Sequence, residues 1–154
     1  MAEREDIVRG LEFVAAEARR VGSLFSDAHW ARTASGGWTA KQVFAHLAAT
    51  AELAPRFAAM LAQAPAGSNP RAGLDIDAIN AQTVAAREGK TARELVDDVV
   101  NGYTSLAEFV RGAPQELLDA RAQFGAEPTA LSDIMATNVV LHALHHLYEA
   151  ATAT

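Results

Sequence analysis

The sequence contains no cysteine in its 154 residues. That absence excludes a disulfide-stapled scaffold, a thiol nucleophile supplied by the chain and a thiolate metal site, and it suits a reducing, cytoplasmic setting. Excess positive charge is absent as well. Thirteen Lys and Arg against nineteen Asp and Glu give a net charge of −6, with no basic stripe, so nucleic acid is not an expected partner. No apolar run is long and charge-free enough to cross a bilayer. The longest candidate, Ile134 to Ala150, is interrupted by Asn138 and three histidines. The first six residues are polar and acidic, without the basic start and apolar core of a signal peptide. Strand-type alternation of useful length, internal repeats and low-complexity tracts are also lacking. The expectation is a soluble, cytoplasmic protein with neither membrane nor nucleic-acid partner.

What is present is helical periodicity. At 50 % hydrophobic and 21 % charged residues the composition is that of a globular chain, and the length suits one domain over residues 1–154. Ile7, Leu11, Val14, Ala18, Val21 and Phe25 recur at three- and four-residue steps, which predicts an amphipathic helix over Glu3 to Phe25. After Gly36-Gly37, Thr39 with Gln42 forms a capping-box pattern that opens a second helix running to about Gln63. Pro55 lies inside it, and a bend is expected near Ala51. Pro65 to Gly73 reads as a linker. Asp75 to Glu88 reads as a shorter helix. Thr91 with Glu94 opens a third long helix through Val110, stopped by Gly112-Ala113-Pro114. Gln115 to Leu118 can form one turn, and Ala122 to Pro128 reads as loop. Thr129 or Ser132 is expected to cap a last helix to about Ala150. Four long helices and a short one between the second and third predict an all-α, four-helix bundle.

The last helix carries an unusual load. Asn138, His142, His145 and Glu149 follow at four-, three- and four-residue steps, with His146 beside them, on a segment otherwise rich in Leu and Val. His142 and His146 lie on one face, a turn apart, and can share a divalent ion. Burying imidazoles without partners costs roughly 1–3 kcal/mol each, a cost that coordination meets. A third nitrogen can come from His46, flanked by Phe44, Ala45, Leu47 and Ala48 in the second helix. Three imidazoles leave coordination positions open, as in catalytic rather than structural zinc sites, and nickel, manganese or iron accept the same donors. Spacing alone favours ordinary core or surface histidines over a metal site.

Two motifs add to this. Trp30 followed by Gly37-Trp38-Thr39-Ala40-Lys41-Gln42-Val43-Phe44-Ala45-His46-Leu47 resembles the W…GWTvkdvlaHL signature of the DinB/YfiT-like superfamily. His142-Ala143-Leu144-His145-His146 resembles its H-x-x-H-H signature. Asp77-Ala78-Ile79-Asn80 and Thr91-Ala92-Arg93-Glu94-Leu95 are similar to the branch of mycothiol-dependent maleylpyruvate isomerase N-terminal domains. The resemblance covers nearly the whole chain. It implies a DinB-like four-helix bundle with zinc or nickel at one end, held by His46, His142 and His146. It also implies an enzyme using mycothiol, bacillithiol or glutathione, or a hydrolase, and a homodimer. Two departures are visible. Gln42 stands where the motif commonly carries an acid. The sequence ends at Thr154 without the C-terminal domain of the full isomerases, which weighs against isomerase activity.

The expected reaction is thiol transfer onto a small-molecule electrophile, since an open metal position lowers the pKa of a bound thiol. Activation of water, for hydrolysis, is the alternative. Glu149 or His145 can orient ligands or move protons, although an exposed rim position suits either equally well. Asn80 is a candidate cofactor contact at the pocket mouth, with a packing amide as its plainer reading. His29 reads as a surface residue, Trp30 and Trp38 as buried rings with their N–H groups on backbone carbonyls, and Arg19-Arg20 and Asp97-Asp98 as solvated faces. A non-catalytic metal- or ligand-binding bundle and a dimerisation module are the remaining readings.

Overall fold

The structure, a computed structural model, describes residues 1–65, 68–124 and 127–154. The elements are α1 (Arg4–Leu24), α2 (Asp27–Trp30), α3 (Ala40–Gln63), α4 (Ile76–Ala85), α5 (Ala92–Gly112) and α6 (Gln115–Asp119). They are followed by β1 (Arg121–Gln123), β2 (Pro128–Ala130), α7 (Leu131–Ile134), a π-helical segment (Met135–Leu141) and α8 (His142–Ala151). Backbone angles at Met135 and His142 are both right-handed helical, so α7, the π segment and α8 form one continuous helix. With α1, α3 and α5 it makes the four-helix bundle that the periodicity predicts.

Apolar stripes decide the packing. Ile7, Leu11, Val14, Ala18 and Val21 of α1 are buried, and α1 lies along α5 and the last helix, while α3 lies between α5 and α8. Tyr103, Phe44, Leu47 and Leu106 fill the centre. Both capping boxes form. The Thr39 Oγ1 accepts from Gln42 N–H at 3.2 Å while the Gln42 Oε1 accepts from Thr39 N–H at 2.9 Å. Thr91 and Glu94 repeat the arrangement on α5. Gln42 therefore closes its box as an acid would, which accounts for its place in the motif. α3 continues through Pro55.

Several expectations are corrected. Residues 122–128 are not simply loop: β1 and β2 pair antiparallel, with Ala122 opposite Thr129, although residues 125 and 126 lie outside the described residues, as do 66 and 67 of the Pro65–Gly73 linker. Neither Thr129 nor Ser132 caps the last helix. Thr129 is in β2, and Ala130 stands at the helix start without a side-chain cap. The backbone of Leu131 is satisfied instead by Ala120 O at 2.9 Å. Asp75 is the N-cap of α4, which stops at Ala85 rather than Glu88.

His29 is not a free surface residue. It belongs to α2, capped by Ser26, and its Nε2 lies 2.8 Å from Ala150 O. Trp30 is buried, with ring centroids 4.8 Å from Phe25 and 5.0 Å from Phe44. Trp38 is half-buried. Neither indole N–H has a carbonyl partner among the described residues; edge-to-face ring packing, rather than a hydrogen bond, holds Trp30. No helix among the described residues is long and apolar enough to cross a membrane.

Candidate metal centre

The α2 helix and its aromatic packing fix the strand-like stretch that leads into α3. Thr33 and Thr39 bridge antiparallel, Thr33 and Thr154 exchange backbone hydrogen bonds of 3.3 and 3.2 Å, and Ala34 O accepts from Gly37 N–H at 2.9 Å. Gly37 has φ 86°, a left-handed conformation that glycine adopts without steric cost. Ser35 is thereby carried over the end of α8, and its hydroxyl donates to Glu149 Oε1.

His46, one and a half turns into α3, is 5 % exposed. His142 and His146 come from the first turns of α8 and are half-buried. The three rings converge from two antiparallel helices. Centroids lie 5.3 Å apart for His46 and His142, 5.0 Å for His46 and His146, and 4.4 Å for His142 and His146. One nitrogen of each lies within 4.8 Å of the other two, and the Nε2 atoms of His142 and His146 are 3.0 Å apart. Imidazole nitrogens bind zinc at about 2.0–2.1 Å, so nitrogens this close to one another can share a single ion.

Electrostatics favours the metal-competent form. Burial, reinforced by the neighbouring His146 and His142, pushes His46 down to about 4. Burial, then His146 and His145, pushes His142 down to about 4. His146 is lowered by burial, against the opposing pull of Glu149. The rings are neutral near pH 7, with lone pairs available. His46 Nδ1 and His142 Nδ1 are buried without a hydrogen-bond partner among the described residues, a costly arrangement in the protein alone. Three neutral imidazoles that converge, two of them carrying a buried nitrogen without a partner among the described residues, are a donor set suited to a divalent ion, so the residues fit the group.

Around the cluster, His146 Nδ1 donates to Glu149 Oε2 at 2.7 Å. Glu149 is buried at 9 % exposure and held below the usual carboxylate range, first by the Ser35 hydroxyl and also by His146. Both its oxygens are engaged. The imidazole of His145 is 66 % exposed and stands 3.5 Å from Glu149 Oε1. Trp38 lies over His46 at 5.0 Å between centroids. A pocket of about 170 Å³ opens beside these groups, lined by Gly36, Trp38, Val43, His145, His146 and Glu149. Asn80 is not part of it. Asn80 lines a separate groove against α3 and the last helix.

Sequence reasoning missed Ser35, because nothing in Ala34-Ser35-Gly36 marks a contact to a residue 114 positions away. It also missed the π segment, whose wider turn enters the helix immediately before His142.

A solved structure described as "YfiT from Bacillus subtilis is a probable metal-dependent hydrolase with an unusual four-helix bundle topology" superposes with a TM-score of 0.71 at 16 % identity, covering 96 % of this chain and 83 % of that one. At that identity the likeness shows the fold. No curated protein matches. The family model described as "Mycothiol maleylpyruvate isomerase N-terminal domain" matches residues 11–150. That match spans both histidine motifs, most of α1 and the other long helices as far as Ala150, and the chain belongs to this family.

Proposed function

We propose that the chain is a metal-dependent enzyme of small molecules, with a divalent ion, zinc or nickel by the family resemblance, held by His46, His142 and His146. The observation that carries this reading is the convergence of three neutral imidazoles whose buried Nδ1 atoms at His46 and His142 have no partner among the described residues. We assign the reaction as transfer involving a low-molecular-weight thiol (mycothiol, bacillithiol or glutathione). A chain without cysteine takes its nucleophile from a cofactor, and the matched family's description names mycothiol. A bound ion supplies Lewis acidity, lowering the pKa of a thiol or water brought to its open positions.

The protein's own groups prepare that site. Glu149 accepts from His146 Nδ1–H and so turns the Nε2 lone pair toward the cluster. Ser35 holds Glu149 in place. Trp38 covers one side of His46 and limits water there. His145, exposed at the pocket rim and near Glu149, is placed to exchange a proton with solvent.

Hydrolysis is the second reading, favoured by the fold shared with a protein described as a probable metal-dependent hydrolase. A third, non-catalytic metal or ligand binding, needs no activation step at all. Metal analysis of tag-free protein, followed by turnover assays with thiols plus electrophiles and with ester or amide substrates, separates the three. Stoichiometric metal that disappears in His46→Ala and His142→Ala supports the centre. Thiol-dependent turnover selects transfer, thiol-independent turnover selects hydrolysis, and full occupancy without turnover selects binding. Wild-type protein that takes up no metal overturns the proposal.

A further inference from the structure

A groove of about 370 Å³ runs along the second half of α3, under α4 and against the π segment. No histidine lines it, but its near end, at Thr50 and Asn138, lies one helical turn from His46 and His142. Thr50 lines it and donates its hydroxyl to His46 O at 3.0 Å, and four residues of helix place Thr50 only about 6 Å further along the axis than His46. On the antiparallel last helix the groove continues in the same direction, from Asn138 to Met135, away from His142. Its walls are apolar, with Phe57 from α3, Ile79 from α4, Met135 and Val139 from the last helix, and Phe124 beyond β1. Met60 and Leu74, at 39 % and 47 % exposure, leave large apolar side chains open at its edge.

The charge is unexpected in an acidic chain. The charged residues lining the groove are two arginines, Arg56 and Arg71, and no carboxylate. Elsewhere Arg9, Arg20, Arg87 and Arg111 each pair with an acidic side chain. Arg56 and Arg71 have no such partner among the described residues. The Arg71 guanidinium rests 5.1 Å from the centre of the Phe124 ring, a cation–π contact that fixes it without neutralising it. Arg56 is ten residues past His46, so it stands at the far part of the groove, with its side chain inclined back toward the helix N-terminus. The volume is at the small end of the 300–1,000 Å³ typical of ligand sites.

We propose that this groove receives the substrate of the three-histidine centre, and that the substrate is an anionic amphiphile. Its apolar body lies between Phe57, Ile79 and Met135, its anionic group meets Arg56 and Arg71, and its opposite, polar end reaches toward the histidines past Asn80 and past Asn138, whose Oδ1 accepts from the Thr137 hydroxyl at 2.8 Å. The word substrate rests on the metal-centre reading; the binding itself does not. The two arginines are the selecting groups, because an apolar wall alone favours a neutral chain over a charged one.

The probe is octanoate against 1-octanol, titrated into metal-stripped protein and followed by backbone amide shifts, so that a carboxylate–metal bond cannot contribute. Expected are shifts centred on Phe57, Ile79 and Met135, and octanoate binding at least tenfold more tightly than octanol. In the Arg56→Gln/Arg71→Gln double variant octanoate should bind no more tightly than octanol. Arg56 is exposed and Arg71 half-buried against Phe124, and neither has an ion-pair partner among the described residues, so the variant is expected to keep its fold, which the amide spectrum itself verifies. Equal affinity of the two probes for wild type, a preference that survives the double substitution, or shifts away from the groove overturns the proposal. Metal uptake by the same samples is read separately. Octanoate preference without metal uptake leaves the groove standing and removes the histidine centre, and uptake without preference does the reverse.

Discussion

His146 Nδ1 lies 2.7 Å from Glu149 Oε2, one turn later on α8, and the other oxygen of that carboxylate accepts from Ser35. A carboxylate on the remote nitrogen fixes which tautomer the imidazole adopts, and removing such a partner typically weakens metal binding 10–100-fold. Glu149→Ala is expected to lose affinity in that range in a chelator competition assay. Glu149→Gln, whose carbonyl still accepts from Nδ1–H, falls between it and wild type. Ser35→Ala costs less than tenfold, since it only loosens the carboxylate. Equal affinities across the series would remove the orienting role of Glu149.

Metal removal should be visible in stability. An ion that binds only the folded state at 100 times its dissociation constant adds about 2.7 kcal/mol, which for a domain of this size corresponds to a rise in Tm of roughly 5–10 °C. Zinc or nickel should raise the Tm of chelator-treated wild type by that order. The rise should be absent in His46→Ala and His142→Ala. Differential scanning fluorimetry on tag-free protein reads the result directly.

These outcomes test the part of the site that was most legible in the sequence. His142 and His146 share a face because four residues make about one turn, and His46 faces inward because its neighbours are Phe44, Ala45, Leu47 and Ala48; α3 and α8 then need only pack together. The long helices were equally legible, since each carries a continuous apolar stripe and two open with complete capping boxes. What escaped depends on contacts distant in sequence. Ser35 reaches Glu149 only because the Gly37 turn and the Thr33–Thr154 pairing bring the stretch before α3 over the end of α8. The hairpin strands are three residues each, too short for an alternating pattern to register. The π segment leaves no periodic signature within seven residues, and His29 gave no sign of its bond to Ala150 O.

The second capping box predicts a pH effect away from the site. Hydrogen bonds from the backbone and hydroxyl of Thr91 hold Glu94 below its ordinary value of 4.5. A carboxylate whose folded value is depressed stabilises the fold above its unfolded value, and that contribution is lost as pH falls through the folded one. Below pH 4.5 the Tm of wild type should therefore fall more steeply than that of Glu94→Gln, which cannot titrate. Carboxyl NMR should place the Glu94 transition below 4.5 in wild type and nearer to it in Thr91→Ala. Parallel Tm curves for wild type and Glu94→Gln in that window would contradict the assignment.

Tyr103 provides a test of core economy. Its ring is fully buried on α5, its hydroxyl has no hydrogen-bond partner among the described residues, and burial raises its pKa. A buried polar group left unpaired costs about 1–3 kcal/mol, whereas the ring itself contributes apolar packing that phenylalanine reproduces. Tyr103→Phe should hold or raise stability, by up to about 1 kcal/mol, with helical circular dichroism and metal uptake unchanged. Tyr103→Ala, which empties the same volume, should cost about 3–5 kcal/mol, the range for deleting a large buried aromatic side chain. Urea unfolding of the pair separates the hydroxyl from the ring: a Tyr103→Phe loss above 1 kcal/mol would mean that the hydroxyl has a partner in solution, and the ordering of the two variants shows which part of the side chain the bundle uses.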